Sequence, residues 1–166
     1  MGEPRRFGDL EVGYDPKHEE REWRVHRAGW AIMALAAVAA LAGLLGPGPL
    51  SNVRAGKESD VLYVEYQRFG RYQAPADFKI FCRPDGEQFR ISLDRGFIEH
   101  AEIKEISPEP LEVTLEPDAQ NFVFKAAEQG RQLVTIRFES QQFGRSKAAI
   151  SLDGKETLEI RQFFWP

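Results

Sequence analysis

One stretch of this chain lacks charged residues altogether, and it constrains the fold more than any other feature. It runs from Ala28 to Val53, and its first eighteen residues, 28–45, contain only Ala, Gly, Leu, Val, Ile, Met and Trp. A helix rises about 1.5 Å per residue, and a membrane span needs about 17 to 25 apolar residues. Hydrocarbon offers backbone polar groups no partners, so such a stretch is best satisfied as a helix. The sequence therefore predicts a transmembrane helix over 28–45, ended by the Gly-Pro-Gly-Pro run at 46–49.

Basic residues flank this predicted helix unevenly. Three basic residues precede it: Arg21, Arg24 and Arg27. Only two, Arg54 and Lys57, follow it, and acidic residues near them offset their charge. Cytoplasmic flanks carry the excess of Lys and Arg, and aromatic rings such as that of Trp30 settle at the interface. The sequence thus predicts a bacterial inner-membrane protein with its amino terminus in the cytoplasm and its carboxyl-terminal domain in the periplasm.

A cleaved secretory signal is the main alternative to the membrane helix. The segment Val53-Arg54-Ala55 imitates a small-residue cleavage site, and cleavage there would release a secreted ligand-binding domain. However, the preceding tail is long and carries both acids and bases, and the apolar run exceeds the usual 7 to 15 residues of a signal core. The anchor is therefore the favoured interpretation.

Several residues of this region are candidates for a partner interface. Asp15 followed by Pro16 is typical of a helix start, which would place Trp23 and Trp30 two turns apart on one helix face. Within the span, small residues four apart let two helices approach closely in lipid: Ala36 with Ala40, and Ala39 with Gly43. An alanine-rich helix produces such spacings by chance as well. The predicted partners are an integral membrane protein, the lipid bilayer, and, through the same spacings, a second copy of the chain.

The remainder of the chain has the pattern of an all-β domain. Short apolar or alternating runs recur every 8 to 12 positions between turn residues, and alternation indicates strands with one buried face. The nine runs are Val61–Gln67, Phe78–Cys82, Phe89–Leu93, Ala101–Ile106, Leu111–Leu115, Phe122–Ala126, Leu133–Glu139, Ala148–Leu152 and Leu158–Phe164. They predict an immunoglobulin-like antiparallel β-sandwich, although the antibody-type Cys and Trp spacing is absent. Residues 97–106 suit a helical turn almost as well as a strand.

These patterns divide the chain into four parts. They are a cytoplasmic tail with a juxtamembrane helix at 1–27, the transmembrane helix at 28–45, a linker at 46–58, and a periplasmic sandwich at 59–166.

The single cysteine is the first place to look for chemistry. Cys82 cannot form an intramolecular disulfide, and alternation puts it on the core side with Phe78 and Ile80. A buried cysteine acts as a small hydrophobe. The alternative is a membrane-tethered copper carrier, because thiolates select Cu(I). Such carriers use a Cys-Phe-Cys arrangement, whereas here Ile80 precedes Phe81-Cys82, so one ligand is missing.

Other polar residues give no chemical constellation. His18 and His26 precede the predicted membrane helix and His100 follows it, so they cannot converge on a metal, and Glu99, Glu102 and Glu105 fit a charged rim. We find no nucleophile with a partnered base and no phosphate loop, so the sequence predicts no catalysis, cofactor or metal. The net charge of −4 argues against nucleic acid as a partner.

The carboxyl terminus is unusually aromatic. It reads Phe163-Phe164-Trp165-Pro166, and an alternating strand exposes about half of such a run. Either the rings pack on the sandwich, or Phe163 and Trp165 dock on a membrane or a neighbouring membrane protein.

Motifs along most of the chain resemble a known group of proteins. They are Glu22-Trp23-Arg24-Val25, Gly29-Trp30-Ala31, Gly46-Pro47-Gly48-Pro49-Leu50-Ser51, Val64-Glu65-Tyr66-Gln67-Arg68-Phe69, Arg71-Tyr72 and Gln162-Phe163-Phe164-Trp165-Pro166. Together they resemble small, uncharacterised single-pass bacterial inner-membrane proteins with a periplasmic β-sandwich, which occur beside YetF-like multi-spanning proteins. The resemblance implies a membrane-protein partner and no enzymatic role. The predicted function is a non-catalytic accessory subunit that binds a larger inner-membrane protein.

Overall fold

The chain folds into two compact units, which a computed structural model describes at residues 5–7, 10–12, 16–44, 48–127 and 130–166, with side chains described from Glu22 onward. The first unit is Met1–Ala39 and the second is Ala40–Pro166.

The first unit contains a small hairpin and a long helix. Strands β1 (Arg5–Phe7) and β2 (Leu10–Val12) pair antiparallel. Helix α1 (Pro16–Leu41) has 26 residues and reaches two residues into the second unit. The predicted helix start is confirmed at Pro16, a residue whose fixed φ suits the first helical position. Its predicted cap, Asp15, lies outside the described residues.

The end of α1 differs from the sequence prediction. The helix stops at Leu41, and the chain turns at Gly43, whose φ is 91°. A Cβ atom on Gly43 would lie 2.6 Å from the Cα atom of Gly48, so the two glycine backbones pack against each other. The Leu50 N–H then donates to the Ala42 carbonyl at 3.0 Å. This close approach ends the helix before the predicted Gly-Pro run, of which Gly46 and Pro47 lie outside the described residues.

The predicted transmembrane helix over 28–45 is not found. In the described part of the chain, every helix is too short or too polar to cross a membrane. The physical reason is length: the uncharged part of α1, from Ala28 to Leu41, holds about 14 residues and rises about 21 Å. The hydrocarbon core of a bilayer is about 30 Å thick. Leu45, the end of the predicted span, lies outside the described residues.

The described residues of the second unit form eleven strands and one short helix. In chain order they are β3 (Asn52–Ala55), β4 (Leu62–Gln67), β5 (Phe69–Arg71), β6 (Pro75–Cys82), β7 (Gln88–Asp94), α2 (Arg95–Ile98), β8 (Ala101–Ser107), β9 (Glu112–Leu115), β10 (Ala119–Lys125), β11 (Gln132–Ser140), β12 (Gly144–Leu152) and β13 (Glu156–Trp165). One sheet has the order β5-β13-β12-β7-β10-β9, and the other has the order β3-β4-β6-β11-β8. All neighbours are antiparallel except β5 and β13. The prediction of an all-β sandwich is therefore confirmed.

All nine predicted runs form strands, and two further strands appear in the second unit. Strand β3 lies inside 46–58, which the sequence predicts to be a linker, and β5 joins β13 by a parallel ladder. Each is only three or four residues long, too short for a period of two to stand out. The ambiguous segment 97–106 contains both elements: α2 ends at Ile98 and β8 begins at Ala101. The Asp94 carboxylate caps α2 by accepting from the Phe97 N–H at 3.1 Å.

The core lies between the inner faces of the two sheets. Alternating burial runs along each long strand, so that one side chain in two is removed from water, as in β6 and β12. The largest fully buried side chains are Phe78, Phe89, Phe122, Phe124, Phe138 and Phe164. These rings come from both sheets, and they join the two layers into one hydrophobic cluster.

Strand β5 is held at its edge position by a buried serine. The Ser51 hydroxyl donates to the Phe69 carbonyl at 3.0 Å and accepts from the Phe69 N–H at 3.2 Å. Next to it, Gly70 faces the ring of Phe164, to which a Cβ atom would approach within 2.7 Å. The edge strand can therefore lie over this core phenylalanine only because residue 70 has no side chain.

We expect Gly70→Ala to lower the free energy of unfolding by about 1–3 kcal/mol, because the added methyl overpacks a buried ring. Urea denaturation followed by tryptophan fluorescence measures the change. Gly86→Ala is the matched control, since the nearest atom to its Cβ is the Gln88 carbonyl oxygen at 3.4 Å, an ordinary contact. Equal effects for the two variants would show that the Phe164 contact is not the cause.

Candidate functional site: exposed apolar surfaces and a charged sheet face

Helix α1 displays the largest group of exposed apolar side chains in the described part of the chain. Leu35 is 70% exposed and Leu41 is 81% exposed, and the group also contains Trp23, Val25, Trp30, Ile32, Met33 and Val38. Exposed apolar patches of this kind mark contacts with proteins or membranes. The two predicted interface tryptophans, Trp23 and Trp30, both belong to this surface.

One of these tryptophans, Trp23, contacts a basic residue in the charged half of α1. The Arg27 guanidinium lies 5.0 Å from the centre of the Trp23 ring, one helical turn away. A cation–π contact at an exposed site contributes about 0.5–1 kcal/mol and so favours this orientation of the indole. The Trp23 end of α1 therefore combines an apolar ring with positive charge, whereas residues 28–41 carry no charge.

The small-residue candidates are placed differently from one another. Ala36 and Ala40 are exposed on α1, as a helix-pairing surface requires, and Ala39 is half-buried. Gly43 is buried and lies beyond the helix, in the turn that packs against Gly48. The Ala39 and Gly43 spacing therefore does not form a helical interface, because the helix ends between the two residues.

The aromatic carboxyl terminus is mostly tied to the sandwich. Phe164 is buried in the core, while Phe163 and Trp165 are half-buried on the outer side of β13. Their ring centres lie 4.7 Å apart at an interplanar angle of 70°. The Trp165 indole N–H donates to the Leu44 carbonyl at 2.7 Å. These two candidate interface residues are thus packed in place and present only part of their rings to solvent.

Cys82 is fully buried at the end of β6, on the core side that alternation predicts. Burial, with a smaller contribution from the Asp153 carboxylate, raises the pKa of its thiol from 9.0 to about 12. A thiolate, which is the nucleophile and the metal-binding form, is therefore disfavoured at neutral pH. In the described residues, no three His, Cys, Asp or Glu side chains are grouped closely enough to hold a metal. A copper carrier that used Cys82 would need an accessible thiolate, and this buried, protonated thiol does not provide one.

The outer face of the five-stranded sheet carries a network of charges. Arg54 forms ion pairs with Glu65 at 2.5 Å and with Glu58 at 3.2 Å, and its hydrogen bond with Glu65 raises the pKa of Arg54. Arg137 bridges Asp77 and Glu105 across three strands. The three glutamates predicted to form a charged rim are exposed and ion-paired: Glu102 with Lys104 and Glu105 with Arg137 on this sheet, and Glu99 with Arg95 at α2.

Two arginines enclose an aromatic pair on the same face. Tyr63 stacks on Phe81 with ring centres 4.5 Å apart, and the guanidinium groups of Arg54 and Arg131 lie 4.9 and 4.8 Å from the Tyr63 centre. Arg131 also donates to the carbonyl of Glu58. Nothing in the sequence marks these four residues as a group, because arginine, tyrosine and phenylalanine also occur elsewhere in the chain. Only the register of the strands brings them together.

An open groove of about 500 Å³ lies beside this cluster. Its lining residues are Asn52, Val53, Arg54, Glu65, Tyr66, Gln67, Asp77 and Lys79. The amides and the Lys79 ammonium can donate hydrogen bonds, while the carboxylates are already engaged by arginines. The groove is therefore suited to polar contacts with another molecule, and no nucleophile and base are paired in it.

The two histidines whose side chains the structure describes are both exposed. The exposed His100 ring contacts the Gly96 carbonyl at 3.1 Å through Nδ1, and His26 is exposed on α1. The side chain of His18 lies outside the described residues.

One exposed surface was not predicted from the sequence. The edge strand β9 and the residue before it expose Leu111, Val113 and Leu115. The alternation of these residues predicts a strand with a buried face, but it does not indicate that the strand lies at the edge of its sheet.

Neither the protein families nor the curated proteins compared with this sequence gave a match.

Proposed function

We propose that this chain is a non-catalytic accessory protein of the bacterial inner membrane, which binds a larger integral membrane protein through α1. The observation that carries the proposal is the exposure of the apolar side chains along the uncharged part of α1, from Ile32 to Leu41. Exposing such side chains to water is costly, at about 25 cal/mol per Å² of apolar surface. A partner or lipid that covers them recovers this free energy.

We also infer that the sandwich is immunoglobulin-like. The order β4-β6-β11-β8 corresponds to strands A, B, E and D of a constant-type domain, and β13-β12-β7 corresponds to G, F and C. In this assignment the hairpin β9–β10 is an insertion between D and E that extends the sheet beyond C.

Replacing two apolar residues of α1 tests the proposal. We expect the full chain carrying Leu35→Lys and Val38→Lys to recover at least about ten-fold less of a multi-spanning membrane protein than the native chain does. The measurement is affinity purification from native membranes in mild detergent, followed by quantitative mass spectrometry. Lysine is a good helix former, so α1 itself is retained, which far-UV circular dichroism verifies.

The matched control places the same two charges on the sandwich. Leu133→Lys and Phe143→Lys replace residues that are 45% and 70% exposed, and they should leave recovery unchanged. If the native chain is recovered alone, or if both double variants retain the partner equally, the proposal is wrong. Reporter fusions at Pro166 test separately whether the sandwich lies in the periplasm.

A further inference from the structure

Positive charge is concentrated on one part of the outer face of the six-stranded sheet. Strands β5, β13 and β12 lie side by side there, and alternation turns every second side chain of each strand away from the core. Four of these outward side chains are basic and exposed: Arg71, Arg145, Lys147 and Arg161. Among the residues of these three strands, all of which the structure describes, one acid, Glu159, lies on the same face. We call the four bases, together with the rings of Phe163 and Trp165, the basic–aromatic face.

The charges of the basic–aromatic face are poorly compensated. Lys147 lies directly opposite Arg161 across the β12–β13 ladder, and like charges at opposite positions destabilise a sheet. Arg161 lies 3.5 Å from Glu159, but these side chains are 75% and 76% exposed, so their ion pair contributes little. Within the described part of the chain, Arg71, Arg145 and Lys147 form no ion pair. An anionic surface against this face would therefore relieve a repulsion that the fold leaves in place.

Aromatic rings lie among these bases at one end of the strands. Arg145 lies opposite Phe163, and Arg71 lies beside Trp165 in the parallel ladder. Trp165 is half-buried, and Tyr72, which is 38% exposed, donates its N–H to the Trp165 carbonyl at 2.7 Å. Tryptophan and tyrosine combine an apolar ring with a polar group, and they are enriched where membranes meet water. This end of the sheet thus combines two kinds of side chain that suit lipid headgroups.

The same end of the sheet adjoins the end of the apolar helix. The last two residues of α1, Ala40 and Leu41, belong to the second unit. Shortly after them, the Leu44 carbonyl accepts the Trp165 indole N–H at 2.7 Å. Because α1 binds at the membrane in the function proposed above, on which the following proposal rests, the basic–aromatic face lies next to the bilayer surface.

A bilayer surface fits this face better than other anionic partners do. The bases are spread over three adjacent strands, and such a broad array matches many headgroups at once. A nucleic acid would meet the whole chain, whose net charge is −4, and its binding depends on an excess of bases. A bilayer beside the end of α1 meets the local excess of bases first.

We propose that the basic–aromatic face docks on the anionic phospholipid headgroups of the bilayer. Phosphate oxygens accept hydrogen bonds from the exposed guanidinium and ammonium groups, and the Trp165 ring lies at the depth of the headgroups. Each basic residue near an anionic membrane surface strengthens binding about five-fold. Salt screens exposed charges, so docking weakens as ionic strength rises.

Vesicle flotation of the full chain tests the docking. Partition coefficients are measured for vesicles of phosphatidylcholine alone and for vesicles of phosphatidylcholine and phosphatidylglycerol in equal amounts. Because the apolar side chains of α1 contribute to both coefficients, their ratio reports the preference for anionic lipid. We expect Arg145→Gln with Lys147→Gln to lower this ratio at least about ten-fold relative to the native chain. Both residues are exposed, and chemical denaturation verifies that the variant is folded.

Arg90→Gln with Lys125→Gln is the matched control. It removes the same two charges from exposed residues on the outer face of the same sheet, in β7 and β10. These residues lie toward the opposite end of the sheet, where the Arg90 N–H donates to Asp153 in the β12–β13 turn. Exposed charges are screened beyond about 8 Å at physiological ionic strength, so the control should leave the ratio nearly unchanged.

Three outcomes would overturn the docking. They are a ratio that the substitutions at residues 145 and 147 leave unchanged, an equal decrease in the matched control, and stronger displacement by inorganic phosphate than by chloride at equal ionic strength, which would indicate a site for a free ion. Recovery of the membrane-protein partner in detergent requires no bilayer, so the same substitutions should not affect it. Failure of the α1 proposal and failure of the docking are therefore distinguishable.

Discussion

Phe78→Ala is expected to lower the free energy of unfolding of the sandwich by about 3–5 kcal/mol. Folded domains are stable by only about 5–15 kcal/mol, so this single change removes a large part of the total. Phe78 is fully buried, and its ring centre lies 4.6 Å from that of Phe138 and 5.3 Å from that of Phe97. Truncation therefore removes contacts to β11 and to α2 and leaves a cavity where three rings meet.

Chemical denaturation at constant pH measures this loss, provided that the denaturant dependence of unfolding stays the same. Phe143→Ala is the matched control, because this phenylalanine is 70% exposed and its ring makes an edge contact with Tyr72 at 6.5 Å. Its effect should be within about 0.5 kcal/mol, as for most surface substitutions. A small effect of Phe78→Ala would mean that the core is not centred on this ring.

The thiol of Cys82 is expected to react at least about 1000-fold more slowly with a thiol reagent in the native protein than in denaturant. The side chain has no exposed surface, and reaction requires opening of the sandwich, which for stable domains is populated at about 1 part in 1000 or less. A cysteine substituted for Val113, which is 50% exposed on β9, provides an internal comparison, since its thiol should react at nearly the rate of the unfolded chain. Equal rates for the two thiols would place Cys82 at an accessible site.

The same thiol makes stability depend on pH in the alkaline range. Burial raises the pKa of Cys82 from 9.0 to about 12. Between these values the unfolded thiol loses its proton and the folded thiol keeps it, so the unfolded state is favoured as pH rises. The stabilisation is complete below pH 9 and is lost as pH climbs toward 12. At pH 10 the loss is about 1 kcal/mol.

Comparison with Cys82→Ala isolates this contribution from other groups that titrate in the same range. The difference in unfolding free energy between the native chain and the variant should be constant from pH 6 to pH 8 and should shrink by about 1 kcal/mol at pH 10. A difference that stays constant to pH 10 would contradict a buried, protonated thiol.

Local periodicity was sufficient to predict most of the sandwich. Each of the nine runs alternates or is continuously apolar over four or more residues. The alternation of side chains between the two faces of a strand is a property of that strand alone, so it can be read from consecutive residues. The same property predicted that Cys82 faces the core, because it lies two residues from Ile80 and four from Phe78. Helical spacing also placed Trp23 and Trp30 on one face of α1.

Features that depend on contacts between distant residues could not be predicted in this way. The end of α1 is set by the approach of Gly43 to Gly48, so an uninterrupted apolar run in the sequence was mistaken for one continuous helix. Strand β5 depends on Ser51 and on the room that Gly70 leaves for Phe164. Neither contact leaves a periodic signature.

The sequence by itself determined that this chain has an uncharged apolar segment ahead of a β-rich domain, because charge and alternation are properties of consecutive residues. Only the tertiary structure decided where that helix ends and which strands lie at the edges of the sheets. Leu111, Val113 and Leu115 have the same pattern as core residues. Their exposure is set by the extent of the opposite sheet, which pairing between distant segments of the chain fixes.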